Sequence, residues 1–100
     1  MKKNVQQALY LDGLAQLVAE GFDPEQDLLP VQEILEAGKD LPQDYRDHAL
    51  HAPLTGYRAC HLGAFKGRTV VLVYRDTGRR ISWEALGEHD AAYQAIREKA

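Results

Sequence analysis

Apolar residues in the first 40 positions recur at the spacing of amphipathic helices. One apolar stripe runs up to Gly21, and glycine commonly ends a helix. A second stripe ends at Gly38 and has Pro30 near its start, where the first turn of a helix tolerates proline. The two stripes comprise Leu9, Leu14, Leu17 and Val18, then Leu28, Val31, Ile34 and Leu35. The pattern predicts two helices, preceded by a polar N-terminus that fits either a short strand or an extension of the first helix.

After position 55 the pattern changes to that of strands. Residues 56–62, GYRACHL, predict one strand, and residues 65–68, FKGR, predict the turn that follows it. Thr69–Tyr74, TVVLVY, is β-branched, aromatic and apolar on both faces, which predicts a central strand. Shortly after this strand, residues Asp76–Gly78 predict a hairpin turn, because glycine readily adopts a positive φ.

The C-terminal part of the chain predicts one more strand and a short helix. Residues 79–86, RRISWEAL, alternate in character, and Asp90 is a suitable N-cap for a helix over residues 91–99. The alternation predicts that Ile81, Trp83 and Ala85 lie on the same face of this strand. Two helices, an antiparallel meander and a short helix together predict an α+β fold, with residues 1–100 forming a single domain.

Composition favours a folded protein of a reducing compartment. The hydrophobic content of 45% supports a packed core, and no apolar run approaches the roughly 18 residues that span a bilayer. The start, MKKNVQQALYLDG, lacks the apolar segment of a signal peptide. The single cysteine excludes an internal disulfide. These features predict a cytoplasmic protein that does not associate with membranes.

The net charge of −3 conceals an asymmetry along the chain. Residues 1–40 carry three basic and eight acidic side chains, which gives −5. Residues 41–100 carry nine basic and seven acidic side chains, which gives +2. An anionic ligand is therefore expected to bind the second segment.

Histidine is concentrated in residues 47–62, DHALHAPLTGYRACHL, which also contain the cysteine. A zinc site is one interpretation, because histidine and cysteine are zinc ligands. Adjacent Cys60 and His61 on a strand point to opposite faces, which leaves His48, His51 and His61 as the alternative ligand set. The structural interpretation assigns His51 to an ordinary loop and Cys60 to a small buried position.

A third interpretation is an acid–base centre. His48 and His61 flank Arg58, while His89 follows the last predicted strand and Tyr93 lies one helical turn beyond it. Histidines with a pKa near 6.5 suit RNA cleavage, where one removes the proton of a 2′-OH and another protonates the leaving 5′ oxygen. An arginine stabilises the charge that develops on the phosphate oxygens. In a meander closed by a short helix these five positions can converge on one surface.

Four segments between residues 41 and 93 resemble the YafQ-like branch of the RelE/ParE toxin superfamily. They are LPQDYRDHAL, GYRACHL, VVLVY and GEHDAAY, in that order. The family pattern has a tyrosine before an Asp-His pair, then G-Y-R-x-x-H, a hydrophobic strand ending in tyrosine, and G-x-H-x-x-x-F/Y. The resemblance implies a RelE-like (microbial-ribonuclease-like) fold, in which two N-terminal helices pack on the meander.

The resemblance implies a type II toxin that cleaves mRNA in the ribosomal A site, leaving a 2′,3′-cyclic phosphate, and that a cognate antitoxin silences. Such an endoribonuclease needs neither a metal nor a cofactor. By position, His48, His61, His89 and Tyr93 match family site residues. His48 or His61 is expected to act as base and His89 as acid, with Arg58 on the phosphate and Tyr93 stacking on or positioning a nucleotide base.

The chain departs from the family pattern after His61. Where the family has Pro-Asp-Trp, this sequence has residues 62–71, LGAFKGRTVV, without the aspartate of the catalytic set. Lys66 and Arg68 in this longer hairpin are either additional phosphate contacts or an ordinary solvated turn. The departure keeps a second function open, a catalytically weak or silent member of the superfamily that binds an antitoxin-like partner or a gyrase-type target.

Overall fold

The computed structural model describes residues 1–99 of the chain. A short 3₁₀ turn at Gln43–Tyr45 connects the helical N-terminal part to the main body of the sheet. The strands and helices are, in chain order, β1 (Lys3–Gln6), α1 (Ala8–Ala19), α2 (Pro24–Asp27), α3 (Leu29–Glu36), β2 (His48–Ala49), β3 (Arg58–Phe65), β4 (Arg68–Asp76), β5 (Arg80–Glu88) and α4 (His89–Lys99). None of these helices is long and apolar enough to cross a membrane.

The strands form one sheet in the order β1-β5-β4-β3-β2. β3, β4 and β5 pair antiparallel, which confirms the predicted meander and the central place of β4. The polar N-terminus is a strand, and it pairs parallel to β5 with Lys3 opposite Arg80. The α+β class and the two packed N-terminal helices are confirmed, with α2 as an additional short helix before α3.

Each face of the sheet has its own hydrophobic core, because β4 alternates between two covered sides. Leu72 and Tyr74 face α1 and α3, whereas Val71 and Val73 face α4 and the loop before β3. The first core also contains Tyr10, Leu17, Leu28, Val31, Leu35 and Cys60, and the second contains Leu54, Ala59, Ala85, Tyr93 and Ile96. Burial on both sides explains why Thr69–Tyr74 is apolar at nearly every position.

A β-bulge in β5 overturns part of the predicted alternation. Tyr74 pairs with Trp83, but Val73 pairs with Ala85, so Glu84 is an extra residue in β5. The extra residue shifts the side-chain alternation, and Ala85 therefore lies in the α4 core while Trp83 lies in the α1 core. The prediction that Ile81, Trp83 and Ala85 share one face was wrong for Ala85. The side chain of Glu84 is 5% exposed and pairs with Lys99 Nζ at 3.3 Å, a contact that connects α4 to the sheet.

The last helix begins two residues earlier than the sequence predicts. α4 starts at His89, and the carboxylate of Glu88 accepts a hydrogen bond from the Ala91 N–H at 3.3 Å. Asp90 lies within the first turn, where a negative charge is favourable, but the predicted cap at Asp90 was wrong. The early start places His89 directly at the end of β5.

The packing of α1 on β5 requires a glycine at position 13. A Cβ atom added to Gly13 would lie 1.8 Å from the carbonyl oxygen of Leu86. In a helix that was free of this contact, alanine would be favoured over glycine by about 1 kcal/mol. Whether Gly13→Ala raises or lowers the free energy of unfolding therefore reports whether α1 approaches β5 this closely.

We predict that Gly13→Ala lowers the free energy of unfolding by about 3 kcal/mol, because the backbone must move to relieve the contact. Gly87→Ala is the matched control, since a Cβ there meets no atom within 4 Å. Urea denaturation of both variants measures the difference. Equal stability of Gly13→Ala and Gly87→Ala would contradict the packing.

Candidate active site

Three histidine rings and one tyrosine ring form a connected row on the α4 side of the sheet. The centroid of the His61 ring lies 6.3 Å from that of His48 and 5.8 Å from that of His89. The Tyr93 ring follows at 4.6 Å from His89. The structure thus brings together four of the residues that the sequence singles out. We call His48, His61 and His89 the histidine row.

Strand register explains how residues 41 positions apart in sequence become neighbours. His48 pairs with Ala59, and His61 shares the face of Ala59 two residues further along β3. His61 also pairs with Val71, which pairs in turn with Gly87, two residues before His89. The pairing of β2, β3, β4 and β5 therefore brings the three histidines to one patch, with His89 directly after the end of β5.

The histidine row lines an open cavity of about 760 Å³. Arg46 and Arg97 line the same cavity, together with the loop over residues 50–54. Asp47 is the acidic residue among the lining residues. The cavity is therefore open to solvent and carries two arginines beside four histidines, the histidine row and His51, a combination that suits an anionic ligand.

Arg58 does not join the histidine row. It pairs with Tyr74 in the sheet and lies on the α1 side. Arg58 and His61 are three residues apart on β3, and because side chains alternate along a strand, an odd spacing places them on opposite faces. Its Nε donates to Asp47 Oδ1 at 3.4 Å, and the hydroxyl of Tyr74 donates to the same oxygen at 2.6 Å. The structure offers Arg46 and Arg97, instead of Arg58, to a ligand in the cavity.

Lys66 and Arg68 also lie away from the row. They occupy the β3–β4 hairpin and line a different cavity of about 540 Å³ between α1 and α4, where Glu20 and Glu88 are close by. The hairpin starts four residues beyond His61, which is roughly 13 Å along a strand. Lys66 Nζ lies 5.6 Å from the centroid of the Phe65 ring, within the range of a cation–π contact.

Hydrogen bonds fix which ring nitrogen of two histidines carries a proton. His48 Nδ1 lies 2.7 Å from the carbonyl oxygen of Arg46, and a carbonyl only accepts, so Nδ1 is the donor. His89 Nδ1 lies 3.0 Å from the Asp90 carboxylate, which likewise accepts. In both rings Nε2 is left to exchange a proton with a ligand.

Partial burial, and then the nearby charges of His89, Arg46 and His48, lower the pKa of His61 below its ordinary value. Each of these groups disfavours a positive charge on the ring. His61 is therefore neutral at pH 7. Burial raises the pKa of Tyr93, which keeps its phenol protonated.

Tyr93 is only 8% exposed and belongs to the core on the α4 side. Its ring packs against His89, so it has little free face on which a nucleotide base could stack. Tyr93 is therefore placed to support the His89 ring from the core side. This differs from the stacking role that the family resemblance implies.

Cys60 is buried on the opposite face from His61, in the core under α1 and α3. Burial, and then the negative charge of Asp47, raise the pKa of its thiol to about 12, so it is not a thiolate at neutral pH. Within residues 1–99, no three His, Cys, Asp or Glu side chains form a group that could hold a metal ion.

Arg46 and Arg97 are the site residues that sequence reasoning missed. His89, Tyr93 and Arg97 are spaced four residues apart, and this spacing places them on one face of α4. The spacing is a signal that could have found Arg97. Arg46 gives no comparable signal, because its position depends on a φ of 48° at the end of the 3₁₀ turn.

The sequence profile of a family described as a bacterial toxin of type II toxin–antitoxin systems, YafQ, matches residues 6–94. The chain belongs to the YafQ toxin family. Arg97 lies beyond the matched residues. None of the curated proteins matches the sequence significantly.

Solved structures with the same fold come from two organisms. A copper-bound mutant toxin from Helicobacter pylori is 26% identical, with 91% of this chain and 98% of that chain covered and a TM-score of 0.82. YafQ from Escherichia coli BL21(DE3) is 21% identical, with 91% and 97% covered and a TM-score of 0.78. The E. coli DinJ–YafQ toxin–antitoxin complex matches with 22% identity, 92% and 97% coverage and a TM-score of 0.79.

We predict that His61 titrates below about 6.5 in an NMR pH titration, as its surroundings require. In the variant His89→Gln the pKa of His61 should rise, because one source of positive charge is removed while partial burial remains. His51→Gln is the control and should leave it unchanged, since His51 is not among the groups that shift His61. A His61 pKa at or above 6.5 in the unaltered protein would contradict this electrostatic picture.

Proposed function

We propose that this YafQ-family toxin is an endoribonuclease that cleaves mRNA bound in the ribosomal A site. The observation that carries the proposal is the convergence of His48, His61 and His89 beside two arginines in one open cavity. Two histidines can divide the proton transfers of RNA cleavage between them. Family membership supports the toxin role, and the histidine row supports the chemistry.

In the proposed reaction His48 acts as the base. Its Nδ1–H is held by the Arg46 carbonyl, so the lone pair of Nε2 can take the proton of the 2′-OH. The 2′ oxygen then bonds to phosphorus and the bond from phosphorus to the 5′ oxygen breaks. His89 gives its proton to that leaving oxygen, and the products are a 2′,3′-cyclic phosphate and a 5′-OH. No metal or cofactor takes part in this scheme.

His61 lies between the other two rings and is neutral at pH 7. A neutral ring there can donate a hydrogen bond to a phosphate oxygen without repelling the protonated form of His89. Arg46 and Arg97 supply the positive charge for the developing phosphate dianion. Tyr93 holds the ring of His89 in place.

The distribution of charge supports RNA binding in spite of the net charge of −3. Residues 4–38 contain seven acidic and no basic side chains, and their helices α1 and α3 cover the opposite face of the sheet. The histidine row lies on the other face, and all three of its residues belong to the segment 41–100, whose net charge is +2. Phosphates would therefore meet the basic side of the molecule.

We infer that a cognate antitoxin protein keeps this toxin silent in the cell. The inference is supported by family membership and by the shared fold with E. coli YafQ in its complex with DinJ. A silenced nuclease of this kind would act in the cytoplasm, where its mRNA substrate is translated.

A catalytically silent binding module is the second candidate. The observation that favours it is that Asp47 is the acidic residue among those lining the cavity, and it is already bonded to Tyr74 and Arg58. Such a module would bind a partner through the same face without cleaving RNA. Growth and mRNA integrity after induction separate the two functions.

We predict that induction of the unaltered toxin without an antitoxin arrests growth, and that primer extension shows cuts in a reporter mRNA. His48→Ala or His89→Ala should lower cleavage by roughly 10²–10⁴-fold, because each removes one proton transfer. His51 lines the same cavity but its ring is not part of the histidine row, so His51→Ala should lower cleavage much less than either of these variants. Intact mRNA and normal growth with well-folded, unaltered protein would favour the binding module.

We predict that Arg97→Ala lowers cleavage about 10- to 100-fold, the size expected for losing one charge-assisted hydrogen bond to phosphate. Arg79→Ala is the matched control, since Arg79 is an exposed arginine at the other end of β5. Cleavage in a purified translation system measures both. Equal activity of the two variants would remove Arg97 from the site.

A further inference from the structure

The segment that carries His48 is held to the sheet by one carboxylate. Asp47 Oδ1 accepts a hydrogen bond from the Tyr74 hydroxyl at 2.6 Å and one from Arg58 Nε at 3.4 Å. Tyr74 is 1% exposed and lies on β4, the central strand. Asp47 is thus bonded to an immobile part of the core, one residue before His48. We call Asp47, Tyr74 and Arg58 the aspartate clamp.

Besides the aspartate clamp, backbone hydrogen bonds hold this segment: the Arg46 N–H donates to the Gln43 carbonyl at 3.0 Å, and the Leu50 N–H donates to the Tyr57 carbonyl at 2.9 Å. β2 consists of only His48 and Ala49, both exposed, at the edge of the sheet. Arg46 has a φ of 48°, a conformation that costs a non-glycine residue energy and persists only where its surroundings impose it. The hydrogen bonds of Asp47 are the adjacent side-chain contacts that can help to impose it.

The conformation of Arg46 decides the state of His48. Its carbonyl oxygen accepts the proton of His48 Nδ1 at 2.7 Å. If residues 46 and 47 turned away, that carbonyl would leave the ring, and both neutral tautomers of His48 would become accessible. Only the tautomer with its proton on Nδ1 leaves Nε2 able to accept a proton.

We propose that Asp47 is a positioning residue, which through Tyr74 and Arg58 fixes the turn at Arg46 and so sets the tautomer of His48. The catalytic consequence rests on the proposed function, in which His48 is the base. The tautomer itself does not depend on that function and can be observed without RNA.

The chemistry of the clamp suits a permanent contact. Burial, and then the hydrogen bond with Asp47, raise the pKa of Tyr74, so its hydroxyl remains a donor at every pH at which the protein works. Arg58 is always charged and offsets the charge of the half-buried carboxylate. The two donors of the network, Tyr74 and Arg58, therefore keep their protons at neutral pH.

The decisive experiment compares Tyr74→Phe with Tyr57→Phe. Both remove one tyrosine hydroxyl beside β3, but the Tyr57 ring packs under Arg75, away from Asp47. ¹⁵N NMR spectra of the histidine rings at pH above 7 report which nitrogen of His48 carries the proton. Single-turnover cleavage of RNA over a range of pH reports the activity of the base.

For the unaltered protein and for Tyr57→Phe we expect the Nδ1–H signature at His48. For Tyr74→Phe we expect signals of mixed tautomers and a fall in the cleavage rate of roughly tenfold or more, since a ring in the wrong tautomer cannot act as the base. A His48 that keeps its Nδ1–H signature in folded Tyr74→Phe would overturn the proposal.

A second variant covers the case in which Tyr74→Phe is too unstable to examine. Asp47→Ala removes the acceptor of both hydrogen bonds of the clamp. Mixed tautomers of His48 in this variant would support the clamp, and an unchanged signature would overturn it. If the unaltered protein cuts no RNA, the proposed function fails, while the tautomer comparison still decides the role of Asp47.

Discussion

The rest of the structure depends on the burial of β4 between two covered faces of the sheet. Leu72 and Tyr74 anchor α1 and α3 on one side, and Val71 and Val73 anchor α4 on the other. Because side chains alternate along a strand, the same strand sets which residues of β3 and β5 face each core. The histidine row is therefore a consequence of strand register as much as of histidine content.

The central strand also separates two chemical tasks. Its α4 side carries the open cavity with the histidine row, and its α1 side carries the acidic helices. Tyr74 connects the sides, because it packs in the α1 core and still bonds Asp47 next to His48. The site is thus supported from the buried layer opposite the cavity.

Much of the fold could be predicted because its signals are local. The run at Thr69–Tyr74 identified the central strand, and the helical stripes identified α1 and α3. The bulge at Glu84 could not be predicted, since an extra residue in a strand leaves the apolar pattern almost unchanged. The parallel pairing of β1 is a contact between distant parts of the chain and has no local signal.

The site was predictable to a different extent for each residue. His48, His61 and His89 followed from spacing together with the family resemblance. The alternation of side chains that places Cys60 and His61 on opposite faces of β3 also places Arg58 and His61 on opposite faces. The position of Arg58 could therefore have been predicted from the sequence. Arg46 was not, because its place depends on a left-handed backbone conformation that no neighbouring residue type signals.

The aspartate of the family pattern is missing here, and the structure suggests how charge is arranged instead. Asp47 is the acidic residue that lines the cavity, and its charge is directed inward toward Tyr74 and Arg58. Arg46 and Arg97 remain on the cavity side with the three imidazoles. A phosphate in this cavity would meet donors and positive charge, while the carboxylate that could repel it is bonded elsewhere. In the role proposed for Asp47, the same carboxylate that would weaken anion binding if it were free serves the site by holding His48.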